Sequence, residues 1–253
     1  MTYETIRVES AGGVTTITLN RPAAGNALNT TMLEELDGAL QEAREAAGWG
    51  VIVLTGAGES FCKGGDASDS GLAGKQDLLR KIVLSMAEMD KPCLVALNGP
   101  AVGAGCSLAL AGDIILASER ASFGDLLMVD GPLPDVGGAH FLPRLVGVGR
   151  ARELAALPGP IEVALADKLG MVNRVVPAEE LAGAARALAE KIAAGPPIAI
   201  TYSKRIMSRA FEMTLSELLE YEALSQQLIM STRDHQEAGK AFLEKRPVQF
   251  IGR

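Results

Sequence analysis

Two glycine-rich turns, each following an apolar run, hold the residue types from which a reaction could be built in this 253-residue chain. The first reads Phe61-Cys62-Lys63-Gly64-Gly65-Asp66 and follows the apolar stretch 51–54. The second reads Asn98-Gly99-Pro100-Ala101-Val102-Gly103-Ala104-Gly105 and follows the apolar stretch 92–97. Glycines let other atoms approach the backbone closely. Residues 104–111 are small and apolar and should leave the second turn as a helix, whose first N–H groups lack intrahelical partners and lie at the positive end of its dipole. Such donors suit a carbonyl oxygen that gains charge in a reaction. Taken alone, glycine richness fits equally a turn that only packs a helix on a sheet. The apolar window 98–117 also has about the length of a membrane span, but Asn98, Pro100, the glycines and Asp113 oppose that reading.

The elements that would position these turns follow from periodicity. Residues 3–9 and 13–19 alternate apolar and polar around Ala11-Gly12 and predict a β-hairpin. From Thr31 the spacing of Leu33, Leu36, Leu40, Ala43 and Ala47 is helical, with Thr31 and Glu34 as a capping box and Gly48 as the stop. Residues 66–75 are rich in Ser, Gly and Asp and predict a mobile loop, followed by a helix over 76–89. Further on, strands are expected around 121–123 and 171–176, and helices near 138–146, 150–156 and 163–169. After Pro196-Pro197 the chain reads as helix to about residue 243. Its apolar stripes exceed what one buried layer needs and point to an oligomer.

Composition narrows the function. A net charge of −7 opposes broad nucleic-acid binding, which needs a basic face. Cys62, Cys93 and Cys106 show neither an even count nor metal-ligand spacing, and read as reduced thiols in a cytoplasmic protein that binds no metal. The polar, acidic start MTYETIRVES does not have the form of a signal peptide.

Together the two glycine turns resemble the signatures of the crotonase, or enoyl-CoA hydratase/isomerase, superfamily. Asn20-Arg21-Pro22, Asn26-Ala27-Leu28-Asn29, Val53-Leu54-Thr55-Gly56, Gly112-Asp113-Ile114, Leu142-Pro143-Arg144-Leu145-Val146-Gly147, Gly170-Met171-Val172-Asn173 and Ala241-Phe242-Leu243-Glu244-Lys245-Arg246-Pro247 match in order. The resemblance implies an α/β fold, a ClpP-like spiral of ββα units over 1–195, and a helical region over 196–253 that builds trimers, often paired into hexamers. It also implies an acyl-CoA thioester ligand and no cofactor beyond that coenzyme A. By motif match, the Gly65 and Ala104 amides would hold the thioester oxygen; Ala104 stands where glycine is usual, a harmless change unless the position needs positive φ. The backbone at Ala27, Leu28 and Lys63 resembles the adenine and pantetheine side of the groove, with Asp66 beside it, and Phe242 and Lys245 resemble residues near the nucleotide. Lys63 reads equally well as a solvated lysine.

The chain departs from the hydratases at the two glutamates that handle water. Ser107 and Leu127 occupy those positions, and neither can act as a carboxylate base. Asp135, in Leu133-Pro134-Asp135-Val136-Gly137-Gly138, resembles the proton-moving aspartate of dienoyl-CoA isomerases and sits where 4-chlorobenzoyl-CoA dehalogenase has its nucleophilic aspartate. Among Leu127, Leu133 and Val136 its pKa would rise by desolvation. The competing reading makes Asp135 the N-cap of a helix beginning at Val136-Gly137. Asp125 and Asp130 read as solvated loop acids, Asp66 and Asp113 as structural, and His140 as a packing or surface residue; Ser107 has no neighbouring histidine to activate it. The expected chemistry is double-bond isomerisation with Asp135 as acid and base. The alternatives are a catalytically silent acyl-CoA binder and a thioester hydrolase or decarboxylase. Leu126, Leu127, Met128 and Leu133 imply an apolar acyl group.

Overall fold

The computed structural model describes residues 3–124, 136–157 and 159–253. Strands β1 (Ile6–Ala11) and β2 (Val14–Leu19) form the antiparallel hairpin. Its turn is Gly12-Gly13, one residue later than expected, with φ of 62° and 77° at the two glycines, as the tightest hairpin loops require. Helix α1 (Thr30–Glu45) follows. Its cap is Asn29, extended in backbone, whose side chain accepts the Met32 N–H. This corrects the expected Thr31–Glu34 capping box: Thr31 already lies inside the helix, and Glu34 pairs with Lys75 instead.

The chain then winds through three similar turns. The first runs from β3 (Val51–Gly56) past Cys62 to α2 (Gln76–Glu88). In the second, β4 (Cys93–Leu97) and β5 (Ala101–Val102) lead to α3 (Ala104–Leu110). The third holds β6 (Ile114–Ser118) and β7 (Ser122–Gly124) and is followed by α4 (Gly138–Val146). Strand β6 was not anticipated: the apolar run after α3 divides at Gly112-Asp113 into helix and strand. The chain continues through α5 (Val148–Ala156), β8 (Ile161–Glu162), α6 (Val163–Leu169), β9 (Arg174–Val176) and α7 (Leu181–Ala193).

The large sheet has the order β1-β2-β3-β4-β6-β9, parallel from β2 onward. All five residues of β4 are buried, as fits a parallel strand covered on both faces. One face carries the main core with α1, α2 and α3; the other packs Val53, Leu94 and Leu116 against Leu181, Ala185 and Ala189 of α7. A second sheet, β5-β7-β8, runs alongside, and Cys62 extends it through a parallel bridge to Ala101, itself paired with Phe123. Successive turns therefore stack in register. The described residues thus form the spiral of ββα units that the resemblance implies.

Helices α8 (Pro197–Arg209), α9 (Leu215–Met230) and α10 (Arg233–Glu244) complete the chain. Thr214 and Glu217 form a reciprocal capping box on α9. Among the described residues no helix is long and apolar enough to cross a membrane.

Candidate active site

The segment 61–66 is laid between two others by backbone hydrogen bonds. On one side the Leu28 N–H donates to Gly64 O at 2.7 Å, and Leu28 O accepts the Asp66 N–H at 2.8 Å. On the other, Cys62 donates to Pro100 O at 3.3 Å and accepts from Val102 at 2.9 Å. Because Leu28 pairs with the groups flanking Gly65, the Gly65 N–H itself points away from Leu28. Two asparagines brace the approach. Asn26, buried with φ of 56°, donates to Ala57 O and Ser60 O, while Asn98 accepts the Gly56 N–H and donates to Gly58 O. Asparagine tolerates left-handed backbone better than most residues, which suits it to the first position.

Gly65 and Ala104 each lie three residues beyond the bridged pair Cys62 and Ala101. Equivalent positions on adjacent turns should then be about one strand spacing, roughly 4.8 Å, apart. Glycine makes that approach possible: a Cβ on Gly105 would come within 2.3 Å of Cys62 O. One on Gly64 would lie 3.7 Å from the Ala104 nitrogen. The Gly65 nitrogen is three bonds from that Cβ position and so within about 3.8 Å of it, which is consistent with a separation near one strand spacing. A single oxygen at hydrogen-bond distance from both fits one strand spacing.

Neither N–H donates to another described residue. Gly65 is exposed and Ala104 half-buried, so a ligand can reach them. Ala104 opens α3 without positive φ, and the left-handed strain falls on Gly103, with φ of 50°. The alanine at this position is therefore unstrained.

The other expected residues divide. Leu28 is fully buried and offers only its backbone, and the Ala27 carbonyl accepts from Arg21 at 2.6 Å. Lys63 is exposed, its stem lying across Gly25, where a Cβ would come within 2.5 Å of Lys63 Cδ. Asp66 accepts the Ser68 hydroxyl at 2.6 Å and Arg21 at 2.9 Å. These partners, Ser68 first, hold its pKa below the ordinary carboxylate value, and they favour the structural reading. Asp113 is structural too: it accepts the Cys93 N–H and Lys204 Nζ, both at 2.7 Å. Burial raises its pKa despite the lysine. Phe242, 83 % exposed, and Lys245 stand on α10 and the residue after it, with no hydrogen bond, ion pair or ring contact recorded to the glycine turns. Ser107 is buried in α3, three residues past Ala104.

Asp135, Leu127 and Leu133 lie outside the described residues, as do Asp125, Leu126, Met128 and Asp130. Helix α4 begins at Gly138, with Gly137, left-handed at φ of 84°, as its N-cap, and not at Val136-Gly137. His140, exposed on α4, packs its edge on Phe141, and its pKa is lowered mainly by burial and then by Arg144. All three cysteines are buried, and burial pushes the thiols of Cys62 and Cys93 up to about 12.

Sequence reasoning missed what holds the loop after Asp66. Asp69 accepts the Thr30 and Gly71 N–H groups, Lys75 pairs with Glu34, and residues 72–74 form a 3-10 turn. Leu72 Cδ2 lies 2.9 Å from where a Cβ on Gly65 would be, against one of the two free amides. The acidic, glycine-rich composition that marks a loop also marks its capping carboxylates, which was the available signal.

The sequence model of the enoyl-CoA hydratase/isomerase family matches residues 9–253. A Rhodobacter capsulatus protein named as a probable enoyl-CoA hydratase is 38 % identical over 259 residues, covering all of both chains. The 1,2-epoxyphenylacetyl-CoA isomerase of Escherichia coli K12 is 36 % identical over 252 residues, 95 % of this chain and 96 % of that protein. The crystal structure of an enoyl-CoA hydratase from Bacillus anthracis is similar with a TM-score of 0.92 and 35 % identity, covering 99 % of this chain and 100 % of that one.

Proposed function

Because this chain belongs to the enoyl-CoA hydratase/isomerase family, we propose that it binds an acyl-CoA thioester, stabilises its enolate through the Gly65 and Ala104 amides, and moves a double bond using Asp135. In a 3-enoyl thioester the Asp135 carboxylate removes a proton from C2. The electron pair of that bond passes through C1 to the thioester oxygen, where the two N–H groups meet the charge. Asp135 then returns the proton at C4, and the double bond comes to rest between C2 and C3. One proton leaves and one returns, so the step balances. Each amide is worth roughly 3 kcal/mol in the transition state, judged by removal of comparable donors. The observation that carries this reading is the pair of unpartnered amides at equivalent offsets on adjacent turns. Leu72 lies beside Gly65 and supplies apolar surface next to that pair.

A silent acyl-CoA binder is the second reading, favoured by Ser107 buried in α3 where the hydratases it resembles carry a glutamate. One experiment separates the two. Purified protein is mixed with 3-enoyl-, dienoyl- and 2-enoyl-CoA, and Asp135→Asn is expected to slow isomerisation by about 100-fold or more while still binding the thioester. Equal turnover by the variant would overturn the role of Asp135. Tight binding with an unchanged ligand would establish the silent binder, and release of free CoA a hydrolase.

We also propose a homotrimer, or a hexamer of paired trimers, in the cytoplasm. Met207, Phe211, Leu215 and Leu224 on and between α8 and α9 are each more than 65 % exposed, an apolar surface that another copy would cover. A monomer in sedimentation at micromolar concentration would exclude this assembly.

A further inference from the structure

The direction of the Gly65 N–H is set by the peptide plane it belongs to. In a trans peptide the carbonyl and the N–H of one plane point in opposite directions, and the described residues hold no cis bond. The Gly64 carbonyl accepts the Leu28 N–H at 2.7 Å, so the Gly65 N–H is aimed away from Leu28. One plane further back the same relation recurs: the Leu28 N–H shares its peptide with the Ala27 carbonyl, which accepts Arg21 Nη1 at 2.6 Å. Two peptide planes thus stand in series between a guanidinium and the amide that would meet the thioester oxygen. Both bonds are shorter than the ordinary distance of about 2.9 Å. We propose that Arg21 is a positioning residue for the reaction, orienting and polarising the Gly65 N–H through the peptides 27–28 and 64–65. Its part in catalysis rests on the acyl-CoA reading just given.

The guanidinium is itself fixed. Its other terminal nitrogen, Nη2, meets the Asp66 carboxylate at 2.9 Å, and the side chains of the pair are only 24 % and 14 % exposed. The Arg21 backbone is held as well: its carbonyl accepts the Ala24 and Asn26 N–H groups, and its N–H donates to Asn26 Oδ1, each at 2.9 Å. Since the Asp66 N–H donates to Leu28 O, the arginine fork grips both sides of the bridge between Leu28 and Gly65. Two successive glycines, Gly64 and Gly65, have more backbone freedom than other residues, so an outside clamp matters here. A hydrogen bond from a cation is stronger than one from a neutral donor, and bonds in series reinforce one another. Asp66 neutralises the pair as a whole, so what reaches Gly65 is the directed Nη1 bond rather than a net charge. The Ala104 amide is supported differently: its peptide carbonyl, Gly103 O, accepts the neutral Cys106 and Ser107 N–H groups at 2.9 and 3.3 Å. Of the two donors, Gly65 is therefore the one tuned by a charged side chain.

The test is infrared difference spectroscopy of a bound acyl-CoA, isotope-labelled at the thioester carbonyl, in the wild type and in Arg21→Lys, Arg21→Gln and Arg21→Met. Strong donors weaken the C=O bond they hold, so binding to the wild type should lower the carbonyl frequency. That lowering should shrink in the order Arg, Lys, Gln, Met; the lysine and glutamine variants keep a donor and carry the comparison if Arg21→Met does not fold. Isomerisation kcat should fall about tenfold to a hundredfold in Arg21→Met with KM little changed, since the donor is misaligned rather than removed. Lys75→Met, which breaks the Lys75–Glu34 pair on the same loop, should leave band and kcat as they are. A fall in kcat with an unmoved band would make Arg21 a structural residue alone and overturn the relay, as would an equal shift in Lys75→Met. The band is read without turnover, so a silent binder answers equally well. If the wild type binds no CoA ester, or binds one without displacing its carbonyl band, the proposed function itself fails and the relay with it.

Discussion

In the spiral, the turn 61–66 is fixed on both flanks by backbone, through Leu28 on one side and Pro100 and Val102 on the other. The C-terminal helices reach the rest of the chain mainly through long polar side chains. Lys204 crosses from α8 to Asp113 and to Met86 O, Arg205 to Asp90, and Thr201 to Asp90 O. The difference matters for what each region can do. Backbone register holds two amides to within a fraction of a strand spacing, the tolerance an oxyanion site needs. Charged side chains hold helices more loosely, leave apolar faces for a partner, and make the attachment respond to charge.

The sharpest break in this comparison is Gly105→Ala. Its Cβ would lie 2.3 Å from Cys62 O, on backbone that cannot swing away. The expected cost is about 3 kcal/mol in denaturant unfolding, with loss of isomerase activity even where the fold survives, because the two turns must part. Lys204→Met comes next. It strands the buried Asp113 carboxylate and should cost about 3 kcal/mol. Hydrogen exchange should show the loss in α8–α10 before β3 and β4. Adding Asp113→Asn should recover part of it, since the two residues form one pair. Equal loss of protection in β3 and α8 would mean that the two regions unfold as one.

What was readable from the sequence was local. Helices α4 and α6 fall on their expected residues because apolar spacing and the glycine stops Gly147 and Gly170 agree there. The two glycine turns were legible because each follows an apolar run, whereas the choice of the Gly65 and Ala104 amides came only from the family resemblance. Long-range polar contacts were not: Arg21 and Asp66 are 45 residues apart, and neither segment carries a mark of the other. The Asn29 cap lost to Thr31 for a related reason. Both residues are good caps followed by a helical pattern, and the choice depends on where Asp69 arrives to accept the Thr30 N–H. Strand β6 was hidden by its own apolarity, since a buried strand after a buried helix changes period without changing composition.

The smallest effect expected tests the polar side of the comparison by pH. After α10 the chain folds back, and Arg246 grips Glu237 with both terminal nitrogens while Asp234 accepts the Ile251 and Gly252 N–H groups. Arg246 lowers the Glu237 pKa from its ordinary 4.5 to about 2. A depressed carboxylate contributes stability that is complete above pH 4.5 and is lost as the pH falls toward 2. Asp113 runs the other way: its pKa is raised by burial, so its contribution to stability declines as pH rises above 3.8 toward the folded value. Acid should therefore loosen the tail, whereas protonation of Asp113 costs no stability. Trp49, the single tryptophan, lines the crevice that receives Gly252 and Arg253 and so reports on the tail by fluorescence. A change in its emission is expected between pH 4.5 and 2 in the wild type and should be absent in Glu237→Gln. Because the pair is exposed, added salt should shrink it. An acid transition that persists unchanged in Glu237→Gln would mean that the tail is held by Asp234 and packing alone, and that the contrast between backbone-held spiral and charge-held helices stops at α8.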